Sequence, residues 1–308
     1  MARLLIIGGG PIGTGAAQAA LDDGVVTGIL GIVDRDADVR QKLQGRFDCE
    51  GWSTSADVPP AEPGDRAIVA FSSRAEEVTK TIIRLLSSGY HVVTPAEELA
   101  WPERHVRDAL ASSAKSSRRS VIAVGANPGF SMDRLPLLLA SSSRQVQAVR
   151  VERRVDSANH REGLRIRTGV GLTTEELAAG LRAGTHGHVG LSASARMLAV
   201  GLGWPAHDVS EHAQPILGDD GLVAGIRQQA EVRTPDGRTI SLDITFALNL
   251  PDPLDRIVVD GTPRIEVEIA GGYPGVEGTT TQLAGALAEC GDLTPDFYRP
   301  IDLPIDFG

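Results

Sequence analysis

Residues 6–15 read IIGGGPIGTG, and this stretch constrains the fold of the chain more tightly than any other. The pattern Gly8-x-Gly10-x-x-Gly13 follows an apolar run, ARLLIIG, and opens directly into a helical pattern, IGTGAAQAALDD. The first glycine permits a tight turn and the second lets the backbone approach a pyrophosphate. The third lets strand and helix pack closely, with the helix N-terminus facing the phosphates. A second apolar run, VTGILGIVDRD, reaches Asp34, 21 residues beyond Gly13, where an acid can accept hydrogen bonds from an adenosine ribose. The spacing predicts a dinucleotide site lined by Gly8, Gly10, Pro11, Ile12, Gly13, Asp34 and Arg35. Asp34 favours NAD, because a carboxylate repels a 2′-phosphate. Arg35 can stack on adenine or pair with such a phosphate, which leaves NADP possible.

The same grammar continues. RAIVAFSS, HVVTP and SVIAVGAN are short, nearly continuous apolar runs, separated by helical patterns at AEEVTKTIIRLLSSG and ERHVRDALASSAK. Strands that alternate with helices in this way form a parallel, doubly wound Rossmann sheet in the α/β class. After about residue 140 the pattern changes to alternation. TISLDITFAL places Ile240, Leu242, Ile244, Phe246 and Leu248 on one face, and TPDGRT and DGTPR read as hairpin turns. This predicts a second α+β domain with an open, mostly antiparallel sheet and helices at TTEELAAGLRAG and SARMLAVGLGW. The expected boundaries are a nucleotide-binding domain over 1–140, a substrate-binding and dimerisation domain over 141–278, and a C-terminal helix, about 279–308, packed back on the first domain.

Composition narrows the function. With 30 Lys and Arg against 40 Asp and Glu the formal charge is −10, which argues against nucleic acid as a partner. LLIIGGG is too short to span a membrane and is followed by no cleavage site, so a cytoplasmic protein with no membrane partner is expected. Cys49 and Cys290 lie far apart without a CxxC partner, so neither a zinc knuckle nor a redox pair is indicated. His186 and His188 flank Gly187 with no acidic or cysteine neighbour. A pocket role suits His188 and a structural one His186, and no metal is expected.

Ligands of doubly wound sheets lie outside the carboxyl ends of the strands. That points to Ser72 and Ser73, to Thr94–Glu98, and to GANPGFSMD with Asn127, Pro128 and Phe130. Asn127 can hold the nicotinamide carboxamide or a substrate nitrogen, or simply form the turn. Trp101 and Trp204, like Phe130, fall near these segments and are candidates to line the site. Thr94-Pro95-Ala96-Glu97 matches a capping box, which would occupy Glu97 locally and leave Glu98 as the working carboxylate, although either can serve.

The segments HVVTPAEELAWP, VGANPGFSMDRLP, RVDSANHREGL and HGHVGLSASARML together resemble the native amine dehydrogenases and 2,4-diaminopentanoate dehydrogenases, relatives of dihydrodipicolinate reductase. The resemblance runs in the same order over nearly the whole chain. It implies reversible NAD(P)-dependent oxidative deamination of an amine, or reductive amination of a ketone or aldehyde with ammonium. The glutamate of the EEL position, Glu97 or Glu98 here, is implied as the catalytic acid/base. Thr94, Asn127, Pro128, Phe130, Arg161 and His188 are the substrate-binding candidates, with Arg161 able to clamp a carboxylate through two parallel hydrogen bonds, and a homodimer is expected. The chain departs from the family at Ala193, where relatives carry a glutamate, and at His160, which precedes Arg161 where relatives carry two arginines. Neither the EKP lysine motif of sugar-type oxidoreductases nor the KxDAPSGT signature of dihydrodipicolinate reductases is present.

A carboxylate suits such chemistry. It takes a proton from the substrate ammonium, stabilises the cationic iminium at close range and activates water for its hydrolysis. Two other activities remain compatible with the sequence: an imine or carbonyl reductase that uses no ammonia, and a dinucleotide-binding sensor without catalysis.

Overall fold

The computed structural model describes residues 2–158, 166–206 and 208–304, so the candidates His160 and Arg161 lie outside the described residues. The chain divides into two units, Met1–Phe130 with Pro274–Gly308, and Ser131–Tyr273.

In the first unit six strands form, β1 (Arg3–Ile7), β2 (Gly28–Val33), β3 (Glu50–Trp52), β4 (Arg66–Val69), β5 (His91–Thr94) and β6 (Val121–Ala123), all but β3 from the apolar runs, with a short seventh at Phe297–Tyr298 beside β6. All pair in parallel, in the order β3-β2-β1-β4-β5-β6 followed by the seventh. This is the Rossmann arrangement. Apart from the edge strand β3, the strands β1 to β6 are largely buried, which is why they read as unbroken apolar runs rather than alternating ones.

One face is covered by α1 (Pro11–Asp22), α2 (Ala37–Phe47) and the helix Gly275–Glu289, where Leu4, Ile6 and Ile68 meet Ala16, Ala20, Leu43, Leu283 and Leu287. Gly15 makes this contact possible, since a Cβ there would lie 2.7 Å from Thr280 Cγ2. The other face is covered by α3 (Ala75–Ser87) and α4 (Arg104–Ser117), through Val78, Ile82, Leu85 and Leu110. Cys290 is fully buried in the first of these layers, and burial pushes its thiol up to about 12. Cys49 is half-buried, and both thiols are free.

The second unit is an α+β layer. Its six strands are β7 (Arg144–Asp156), β8 (Val209–Leu217), β9 (Val223–Arg233), β10 (Thr239–Ala247), β11 (Leu254–Thr262) and β12 (Ile265–Ala270), ordered β12-β11-β7-β10-β9-β8. Only β7 and β10 pair in parallel; the other four pairings are antiparallel. The alternation in β10 buries Ile240, Leu242, Ile244 and Phe246 against Ala195, Leu198 and Ala199 of the helix Leu191–Gly201. Leu248, expected on the same face, lies past the end of the strand, where its amide bonds to Ala224 O. The TPDGRT turn closes through Gly237 N to Thr234 O at 3.0 Å.

Strand β8 was not evident in the sequence. It is an edge strand, and it contains Pro215, a residue the interior of a sheet would not accept. The outer face of the sheet carries ion pairs between neighbouring strands, such as Arg227 with Asp243 and Arg256 with Glu266. The helix Thr174–Arg182 has a full capping box, Thr173 with Glu176. Among the described residues no helix is long and apolar enough to cross a membrane.

Candidate functional site

The strand order reverses between β1 and β4, and the loops after β1, β4, β5 and β6 all leave the carboxyl edge of the parallel sheet. The glycine loop is built for close approach. Gly8 has φ +102, and a Cβ there would meet the backbone of Ala70 and Phe71 at 2.9 Å. Gly13 would place a Cβ 2.5 Å from Gly8 O, so the strand-to-helix turn can close only on glycine.

Gly10 is different, being exposed with nothing within 4 Å of its Cβ position. It precedes Pro11, the first residue of α1. This helix start has no side-chain cap and no acid in its first turn, whereas Asp36 caps α2 by accepting from the amides of Asp38 and Val39. An uncapped helix N-terminus behind an open glycine presents amide donors and positive dipole to an anion. These residues therefore fit the pyrophosphate of a dinucleotide.

Asp34 follows β2 and is held from two sides, with Oδ2 accepting from Gly9 N at 2.7 Å and Oδ1 from Asp36 N at 3.0 Å. The carboxylate thus props the glycine loop as well as offering an acceptor beside it. Arg35 is exposed, and Arg40 ties down the local backbone by donating to the carbonyls of Asp34 and Arg35.

The β4 loop carries Ser72 and Ser73, both half-buried, and the Ser72 hydroxyl accepts from Arg74 N at 3.1 Å. Phe71 precedes them and leaves 42% of its surface exposed beside the glycine loop. Sequence reading passed over it because a single phenylalanine after a strand reads as core.

The loop after β5 corrects two expectations. Thr94-Pro95-Ala96-Glu97 does not form a capping box. Thr94 is still strand, fully buried, and its hydroxyl donates to Val69 O at 2.7 Å and accepts from Ala96 N at 3.2 Å. Those two bonds commit its polar group to the loop itself, so Thr94 shapes the site rather than facing a ligand there.

The short 3-10 turn Glu97–Ala100 follows, with no side-chain cap of its own. Here Glu98 is the capping residue. Its Oε2 accepts from Ala75 N at 2.8 Å, at the start of α3, and its Oε1 lies 3.9 Å from Arg74 Nη1. Glu97 is half-buried, with one carboxylate oxygen enclosed by protein.

The loop after β6 wraps tightly. Gly129, at φ +138, would bring a Cβ within 2.3 Å of Gly125 O, and Ala126 N donates to Thr279 Oγ1 at 3.2 Å. Pro128 is buried, while Asn127 and Phe130 are half-buried. Trp101 lies under the guanidinium of Arg299, 4.5 Å from the ring centroid.

In the second unit His188 follows Gly187, whose amide bonds to Arg167 O at 2.8 Å, and its own backbone is bracketed by the side chain of Gln228. Burial, then Arg167 and Arg153, lower this imidazole to about 3, so His188 is neutral and cannot act as a cation at ordinary pH. His186 packs its ring against Gly180, where a Cβ would be 2.1 Å away, which is a structural role. Trp204 is 6% exposed and belongs to the core of this unit rather than to a lining. Ala193 is buried on the helix Leu191–Gly201. Among the described residues no group of three or more His, Cys, Asp or Glu is placed to hold a metal ion.

Known proteins share the fold and the family. The chain is 26% identical to a 2,4-diaminopentanoate dehydrogenase of Acetoanaerobium sticklandii, over 98% of this chain and 93% of the relative. It is 26% identical to an amine dehydrogenase of Streptomyces virginiae, over 89% and 86%. Its fold superposes on the structure of an amine dehydrogenase from Mycobacterium smegmatis with a TM-score of 0.85 at 18% identity, covering 98% of this chain and 96% of that one. The 2,4-diaminopentanoate dehydrogenase C-terminal domain matches residues 130–306, more than half of the sequence, and the chain belongs to that family.

Proposed function

We propose that the protein is an NAD(P)-dependent amine dehydrogenase that interconverts an amine with a ketone or aldehyde and ammonium, using Glu97 as the acid/base. The observation that carries this reading is the division of labour between the two adjacent glutamates. Glu98 accepts from Ala75 N at the N-terminus of α3, whereas the Glu97 carboxylate is half-buried at the carboxyl edge of the sheet with one oxygen enclosed by protein, and ligands of doubly wound sheets lie outside that edge. Gly8, Gly10, Gly13 and the start of α1 would hold the pyrophosphate, with Pro11 and Ile12 in the first turn. Asp34 would meet the ribose, and Ser72, Ser73 and Asn127 the rest of the cofactor. A bound nicotinamide supplies the hydride acceptor or donor.

The protein groups handle the protons. Glu97 takes one from the substrate ammonium, so that the nitrogen lone pair can help expel hydride from the adjacent carbon. Once that proton has passed to solvent, the carboxylate stabilises the iminium cation and takes a proton from the water that attacks it. The resulting carbinolamine regains that proton on nitrogen as it expels ammonia, leaving the carbonyl, and the ammonia is protonated to ammonium in solvent. A lysine in its place would repel the iminium. Pro128 and Phe130, on the loop after β6, would line the substrate side of the nicotinamide, and the open sheet of the second unit is the surface we assign to a homodimer.

Asp34 and its hold on Gly9 support NAD as the preferred cofactor. Glu97→Gln keeps the shape and removes the base. It is expected to lower kcat by about 100-fold or more while leaving the NADH Kd within about threefold. Near-normal turnover in that variant would reject the carboxylate mechanism at Glu97.

A further inference from the structure

Glu98 joins two loops that the sequence keeps 23 residues apart. Its side chain accepts from Ala75 N at 2.8 Å and faces Arg74, while its backbone N–H donates to Ser73 O at 3.1 Å. Both ends of one residue therefore grip the β4–α3 loop, which carries Ser72 and Ser73. Behind it, Leu99 and Ala100 are buried, and Leu99 sits in the same apolar layer as Ala75, Val78 and Ile82 of α3. Thr94 fastens the other end of the segment to Val69, the last residue of β4. The turn that bears Glu97 is thus pinned at Thr94, Glu98 and Leu99 to one neighbouring strand, loop and helix.

We infer that Glu98 is a positioning residue that makes the acid/base turn and the Ser72–Ser73 cofactor loop a single rigid piece. This rests on the reading of Glu97 as the acid/base and of Ser72–Ser73 as cofactor contacts. The essential interaction is the cap on Ala75 N, which needs an acceptor oxygen at that reach but not a charge. The Arg74 pair is long and partly exposed, and such pairs contribute little.

The test compares Glu98→Gln, whose amide oxygen can still accept from Ala75 N, with Glu98→Ala, which cannot. Two readouts are used: the NADH Kd by direct titration, and the pH profile of kcat/KM. Loss of a capping bond weakens a local structure by about fivefold to tenfold in equilibrium terms. Glu98→Ala is therefore expected to raise the NADH Kd by about fivefold or more. It is also expected to move the acid limb of kcat/KM by about half a pH unit, because the surroundings of Glu97 change with the turn. Glu98→Gln is expected to stay within about twofold of the parent in Kd and to keep the parent limb.

A general loss of stability would lower yield or Tm without moving the pH limb. Should Glu98→Ala fail to fold, Glu98→Asp, one methylene short of the amide, carries the same comparison. Parent-like Kd and pH profile in Glu98→Ala would overturn the inference. So would loss of turnover in Glu98→Gln, which would make Glu98 itself the reacting carboxylate. The Kd arm uses no amine or carbonyl, so it tests Glu98 even if the proposed reaction is wrong.

Discussion

Asp34 performs two tasks with one carboxylate. One oxygen holds the Gly9 amide in the turn and the other holds Asp36 N, and in the proposed cofactor site the charge would repel a 2′-phosphate. Asp34→Ala should weaken both cofactors through the loop. It should weaken NAD more, because only NADP gains from removal of the negative charge. A shift of about tenfold in the NAD to NADP ratio of Kd values is expected, on the scale of one hydrogen bond to a charged group. An unchanged ratio would mean that the carboxylate only shapes the loop.

The spacing of the sequence singles out Asp34 and the glutamate pair, but the capping box expected at Thr94–Glu97 does not form. A capping box is read from local spacing, and Thr94-x-x-Glu97 has it. The bond that forms instead runs from Glu98 to a helix that starts at Ala75, and no local pattern encodes a contact of that separation. The threonine at position 94 was already committed to holding β5 against β4.

At the scale of elements the glycine loop and α1 can be separated into fold and function. Gly10 has open space at its Cβ position, whereas Gly13 abuts Gly8 O. Gly10→Ala should therefore fold with parental stability and lose NADH affinity by about tenfold or more, since the methyl group would occupy the space a pyrophosphate needs. Gly13→Ala should in addition lower unfolding stability by about 1–3 kcal/mol, because strand and helix must part to admit the methyl. Denaturant unfolding without ligand, set beside NADH titration, distinguishes the two. Equal destabilisation by both variants would contradict the geometry.

The elements that sequence reading recovered are those with strong periodicity: buried parallel strands flanked by helices, and the alternating β10. It missed β3, β8 and the two-residue strand at Phe297–Tyr298, whose pairing is set by neighbours rather than by their own pattern.

Across the whole molecule, the half-buried His91 is one group through which stability responds to acid. His91 is lowered from 6.5 to about 4, by burial first and then by Arg119 and Arg66, and its Nδ1 accepts from Ser120 N at 3.2 Å. The unfolded chain protonates this residue near 6.5 and the folded one resists until about 4. Its contribution is thus complete above pH 6.5 and is lost as pH falls toward 4. His91→Gln should flatten the fall of unfolding stability in that window, as read from denaturant unfolding at a series of pH values. An identical slope in the variant would show that His91 titrates normally in the folded protein.

The two-part architecture was legible because the grammar of the chain changes from unbroken to alternating apolar runs. The buried pair of Arg153 and Asp255, which also holds Tyr273 through its amide and carbonyl, was not, because its members are 102 residues apart.

The central claim is that this fold carries out chemistry at a carbon bearing nitrogen, with ammonium as the co-reactant. NADH and NADPH consumption against a panel of small ketones and aldehydes, each with and without a high concentration of ammonium at alkaline pH, tests it most directly. The account predicts oxidation of the cofactor that requires ammonium and an amine as the product. Turnover independent of ammonium, or cofactor binding with no turnover under any of these conditions, would contradict it.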